Sequence, residues 1–179
     1  MHHDFLGVNM PKGLKETSGL ITIGFSVGET VPGTMAQERI DLQLNVLDRE
    51  VFIVYGVNLD LSAPEAIAGT NTAVFGSVST TSRTTPGSLA DANVLATAGN
   101  QIEASGLIDG GVGFSYSSAD SPATQLEYLG LIATNDFYAQ VIGVNNVGTQ
   151  AMSGRIYGVR AQANADIFAA LTQSELLSQ

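Results

Sequence analysis

His2 and His3 are the chain's only imidazoles, and both lie within three residues of its start. A serine nucleophile needs a positioned imidazole to take its proton, and a terminal histidine pair gives no Ser–His–Asp arrangement a credible base. There is no cysteine, which removes thiolate nucleophiles, zinc–thiolate sites and disulfides together. Carboxylates remain. Asp41, Asp48 and Glu50 fall near one predicted strand pair, and Glu103, Asp109 and Asp120 fall around the middle loops. Two facing carboxylates are the machinery of glycoside hydrolysis, but acids in turns ordinarily bond local backbone or water. Calcium needs only oxygen ligands, yet no Asp-x-Asp-x-Asp-Gly loop is present. The glycine-rich stretch 106–113 has no following lysine and no strand-to-helix setting, so it reads as a turn rather than a phosphate cradle. Gly24-Phe25-Ser26-Val27-Gly28 has the spacing Gly-x-Ser-x-Gly, but it lies within the alternating run of a predicted strand and not at a strand-to-helix elbow, and no Gly-x-x-x-x-Gly-Lys loop occurs. The expectation is no enzyme, no cofactor and no metal site. Arg155 and Arg160 are expected to pair with carboxylates across strands or between subunits rather than to bind a substrate.

The elements that would have to position any such groups read as strands. Residues 1–17 hold Gly7, Pro11 and Gly13 and read as an irregular arm. Ile21, Ile23, Phe25 and Val27 then alternate with small or polar residues, the period of a half-buried strand. Ile40, Leu42, Leu44 and Val46 do the same, and are predicted to share one inner face. After a polar break comes 51–57, apolar on both faces, predicted to be a central strand covered on both sides and to form an antiparallel hairpin with the strand before it. Strands are predicted over 72–79, 112–117 and 125–133, while 89–98 fits a short helix or a strand. A second hairpin is predicted from 137–144 and 151–161 around the turn residues 145–148. Residues 165–177 have no Gly or Pro and a candidate N-cap at Asn164, which predicts a helix. That helix has two readings: packed on its own sandwich, or docked on a neighbouring subunit.

The surface these elements would present is short of charge. Only 13% of residues are charged while 44% are hydrophobic, against roughly 25% charged in an ordinary soluble domain. Neutral polar groups are far cheaper to desolvate than charges, so such a surface suits burial against copies of itself. Seventeen acids against seven bases give a net charge of −10. The field therefore repels phosphate backbones, and direct nucleic-acid binding is disfavoured, with Lys12 and Lys15 the only closely spaced bases. No apolar run reaches the ~18 residues of a membrane helix. The opening residues also lack a basic stretch followed by an apolar one, so no secretory leader is expected.

The stretch 133–138, the segment from Ser153 through Arg155, Ile156, Tyr157 and Arg160 to Ala161, and the tail ending Gln173-Ser174-Glu175-Leu176-Leu177-Ser178 carry a resemblance. With Pro11-Lys12-Gly13-Leu14-Lys15-Glu16 and 42–57, the chain resembles coat proteins of small tailless viruses, of the kind found in marine environmental sequences. The resemblance implies an all-β single jelly roll: a two-sheet antiparallel sandwich of about eight strands, with an extended N-terminal arm and a short C-terminal helix. The expected division is an arm over 1–17, a sandwich over 18–162 and a helical tail over 163–179. The implied function is a structural virion protein that self-assembles into an icosahedral capsid shell, located in the virion. Its implied partners are copies of itself, with other virion proteins or an internal membrane. Lys12, Lys15, Phe168, Leu171, Leu176 and Leu177 are the expected subunit-interface residues. One departure stands out: many small coat proteins carry a strongly basic arm and this chain does not, so a genome would need screening by a membrane, another protein or small cations. The alternative is an extracellular β-sandwich module recognising carbohydrate or a cell surface, against which the absence of tryptophan counts.

Overall fold

The computed structural model describes residues 11–106, 108, 110–117 and 128–177. The strands are β1 (Leu14–Glu16), β2 (Ile21–Gly28), β3 (Ala36–Asp41), β4 (Glu50–Leu61), β5 (Thr72–Ser79), β6 (Val94–Glu103), β7 (Val112–Ser117), β8 (Gly130–Ile132), β9 (Asp136–Val144) and β10 (Ala151–Ala163), followed by one helix, α1 (Ala165–Leu177). β2 pairs antiparallel with β10, β3 with β9, β4 with β8 and β5 with β6. These pairs are nested in sequence, like one long hairpin closed at the β5–β6 turn. Pairing of β4 with β10 and of β5 with β9 folds that ribbon across two sheets. Sheet A runs β10-β4-β8, with β1 and β2 sharing the free side of β10; sheet B runs β3-β9-β5-β6-β7. The result is a single jelly roll, in which eight strands make the nest and β1 and β7 are additions.

Both predicted hairpins are corrected by this topology. The strand at residues 36–41 lies in sheet B and the 51–57 strand in sheet A; likewise β9 lies in sheet B and β10 in sheet A. A period of two says which face of a strand is buried, but not which strand lies beside it. Either partner buries the same residues between the sheets, so the pattern alone did not separate a hairpin from a crossover. The first crossover also ends the alternation early. Gln43 adopts a left-handed backbone with φ 53°, and the chain leaves β3 there. Leu42 and Leu44 still reach the core, while Val46 enters a 3₁₀ turn and is 57% exposed. Of the stretch 89–98, read as a helix or a strand, residues 94–98 belong to strand β6 and 89–93 to the turns before it.

The run 51–57 is central and covered on both faces, as its composition predicts. Phe52, Val54 and Val57 lie between the sheets with Leu42, Phe137 and Ile156. Val51 and Ile53 face outward, where Val159, Ala161 and the half-buried Ile167, Phe168 and Leu171 of α1 cover them. A bulge where the β4–β10 register shifts at Tyr157/Gly158 lets the two faces exchange parity along β4. Gly158 is needed there: a Cβ would sit 2.2 Å from the Ile53 carbonyl oxygen and 2.5 Å from the Phe52 ring. The helix therefore packs on its own sandwich. Asn164 caps it, accepting from the Ile167 amide at 2.9 Å.

The described part of the arm is not wholly irregular. Leu14–Glu16 pairs with Ala161–Ala163 of β10, and Asn164 donates its amide to the Gly13 carbonyl at 3.1 Å. Residues 1–10, with His2 and His3, lie outside the described residues, as do Asp109, Asp120 and the first part of the predicted 125–133 strand.

Candidate functional site

Among the described residues, no group of three or more His, Cys, Asp or Glu is placed to hold a metal ion. Of the acidic groups singled out in the sequence, Asp41, Asp48 and Glu50 have structural partners. Asp48 accepts from Asn45 Nδ2 at 2.6 Å, and Asp41 accepts from the Gln43 amide at 2.8 Å. Glu50 meets Arg160 at 2.8 Å, and the same guanidinium donates to the Leu42 and Gln43 carbonyls at 2.7 and 3.2 Å. Arg160 thus pairs with a carboxylate on the neighbouring strand, as expected, and pins the β3–β4 crossover. Arg83 meets Asp91, and Arg39 meets Asp136. The hydrogen bond and charge of Asp136 raise the Arg39 guanidinium above its ordinary value.

The buried polar groups are also structural. On the outer face of sheet B, Ser77 donates to Gln140 Oε1 at 2.6 Å and accepts from the Gly87 amide at 2.8 Å. Gln140 in turn donates to Gln37 and Ser79 at 2.9 and 2.8 Å. This network holds loop 80–93 across the sheet. No described buried side-chain nitrogen or oxygen lacks a partner.

What the structure leaves open is surface. At one end of the sandwich lie the β2–β3, β6–β7 and β9–β10 connections, tied together by Asn71, Glu29 and Glu65. Asn71 accepts from the Ala104 amide at 2.8 Å, while its carbonyl takes Asn145 Nδ2 at 2.9 Å. Glu29 accepts from the Gln150 and Gly33 amides at 2.8 and 2.9 Å, and Glu65 from the Val147 and Gly148 amides. The tips of these three loops carry Val31, Ile108 at 88% exposure and Val147 at 79%. The opposite end carries Leu89 and Leu47, the latter 93% exposed. Carboxylate and amide side chains thus brace the loops whose tips carry these apolar residues.

The expected interface residues fall into separate groups. Lys12 and Lys15 are exposed beside β1. Phe168 and Leu171 are half-buried against their own sheet, while Leu177 is exposed. The Leu176 side chain lies outside the described residues. Sequence reading missed Glu175, buried near the end of α1, where it accepts from the Ala133 and Thr134 amides at 2.6 and 2.9 Å and from Thr134 Oγ1 at 2.6 Å. It also missed the exposed side chains of β7, although their alternation was visible. On the outer face of sheet A, an open groove of about 350 Å³ is lined by Gly24, Asn58, Asp60, Arg155 and Tyr157. Unlike Arg160, Arg155 has no carboxylate partner among the described residues. No described helix is long and apolar enough to cross a membrane.

No family model and no curated protein matches the chain. Among solved structures, it is similar to the Merkel cell polyomavirus VP1 unassembled pentamer, at 8% identity and a TM-score of 0.35, over 83% of this chain and 97% of that one.

Proposed function

We propose that this protein is a non-catalytic structural virion protein whose copies assemble into a closed shell. The observation that carries the reading is a jelly-roll nest with exposed apolar side chains at the loop tips of both ends, on a chain only 13% charged. Copies in closed symmetry would give each tip a partner and stop growth at a finite size. The strand order supports this, since jelly rolls build viral shells, although they also build lectins and cupins. The resemblance of residues 133–161 and the helical tail to small-virus coat proteins points the same way. The net charge of −10 supports a partner other than bare nucleic acid on the inner side.

The test is particle mass. The purified chain of 18.6 kDa is expected to form megadalton particles as concentration and ionic strength rise. Sedimentation at the monomer mass under all these conditions refutes the reading. It would favour a binding module, for which the specific support is the groove beside Tyr157 and Arg155, the latter with no carboxylate partner among the described residues. An acidic or neutral glycan bound there by the monomer, with binding lost in Arg155→Ala, would establish that alternative.

A further inference from the structure

Gly24 is a glycine that its strand does not need. It lies in the middle of β2, where the register with β10 runs unbroken from Ile21 opposite Gly158 to Gly28 opposite Ala151, and its backbone is not left-handed. Glycine weakens a strand interior, and where it is kept it often marks a bulge, a bend or the close approach of a ligand or another backbone. No bulge interrupts this pairing, and a Cβ on Gly24 would meet nothing nearer than the Gly154 carbonyl oxygen at 4.0 Å. The space above it is the groove on the outer face of sheet A. Register sets Arg155 directly between Gly24 of β2 and Asn58 of β4, and Ser153 between Ser26 and Asp60. Tyr157 follows on the same face, half-buried, with its hydroxyl accepting from Asn58 Nδ2 at 3.3 Å.

We infer that this groove binds a sugar ring carrying a single carboxylate. The inference goes beyond the assembly reading and gives the groove a ligand class whether or not copies associate. Arg155 carries the first argument. Arg39, Arg83 and Arg160 each hold a carboxylate of their own chain, whereas the exposed Arg155 is in no ion pair among the described residues. Its planar fork is the group that takes a carboxylate by two parallel hydrogen bonds. Asp60 carries the second. It too is exposed and in no ion pair among the described residues, and an ionised carboxylate only accepts, so a ligand beside it has to bring hydroxyl donors. Asp60 and the net charge of −10 together oppose a doubly charged phosphate and favour one negative charge, the one that Arg155 neutralises. A compact group with one carboxylate and several hydroxyls is a sugar acid.

The shape suits one ring. A volume of about 350 Å³ is near the lower end for small-molecule sites. The bare strand at Gly24 makes a floor, and Tyr157 offers an apolar ring with a polar tip, matching the C–H face and hydroxyl rim of a sugar. Asn58 and Ser153 add an amide and a hydroxyl at the walls. Because these polar groups are open to water, each exchanges one hydrogen bond for another, and a single sugar binds weakly, on the order of 1 mM. Many copies on one particle would raise the apparent affinity through multivalency.

The test is saturation-transfer NMR on the full chain, which reads weak binding in monomer and particle alike. The probes are glucuronic acid and N-acetylneuraminic acid, two sources of a ring carboxylate, with glucose and acetate as controls. At least one sugar acid is expected to give a signal about tenfold above both controls, and which one does so names the source. Arg155→Ala and Gly24→Val are each expected to abolish that signal. Valine favours a strand and enters open space at position 24, so the melting temperature of Gly24→Val should match that of the wild type. Signal from neither sugar acid overturns the inference. So does a signal that survives either folded variant, or acetate as strong as the sugars, which would make Arg155 a general anion contact. Sedimentation of the same samples reads assembly separately. Binding without particles keeps the site and refutes the shell, and particles without binding do the reverse.

Discussion

Replacing Glu175 by alanine should detach the end of α1 from the sandwich. The carboxylate is 8% exposed and accepts three hydrogen bonds from the β8–β9 connection: Ala133 N, Thr134 N and Thr134 Oγ1. Ala133 is itself 4% exposed, so its amide has no route to water once the acceptor is gone. An orphaned buried donor costs about 1–3 kcal/mol, and hydrogen bonds to a charged acceptor contribute about 1.5–3 kcal/mol each. Thr134 is only half-buried and water can repair its amide, so the sum is held to about 2–4 kcal/mol. Glu175→Gln keeps one acceptor oxygen and should lose about half as much. With a urea slope near 3 kcal/mol per molar, at the upper end for small domains, the alanine variant's midpoint should fall by about 1 M. Circular dichroism at neutral pH reads this directly. Hydrogen exchange adds a local reading, because Ala133 and Thr134 amides should lose protection before those of β9. A midpoint unchanged within about 0.2 M, with both amides still protected, refutes the claim that this carboxylate fastens the helix.

Phe168→Ala should lower the melting temperature by several degrees, because the ring covers Val51 and Ile53; a half-buried phenylalanine is worth about 2 kcal/mol and each kcal/mol about 2–4 °C at this size. Phe168→Asp should fail to fold or to assemble, measured by soluble yield and by sedimentation, since it sets a charge on the apolar face under α1. Arg160→Ala should cost about 1–3 kcal/mol in urea melts, because the Glu50 pair and both crossover carbonyls lose their donor together. Assembly followed by light scattering should weaken as salt is lowered and recover when it is restored. Repulsion between copies at −10 reaches about 30 Å at 0.01 M and about 10 Å at 0.1 M.

The sequence made faces legible and neighbours illegible. The alternation in 21–27 and the doubly apolar 51–57 each told which side chains turn toward the core, and those side chains are buried or half-buried against it. Alternation is a local property, however, and partner choice is settled by how the whole ribbon folds, which is why two crossovers read as hairpins. Val46 marks the limit of periodicity: the pattern ran one residue pair beyond the left-handed Gln43 that breaks it. The contact surface was harder still. Composition announced that some surface must be shared, but the helix residues Phe168 and Leu171 were legible as apolar, not as facing inward. Glu175 gave no signal, because a buried glutamate looks like a solvated one until the loop amides above it are placed.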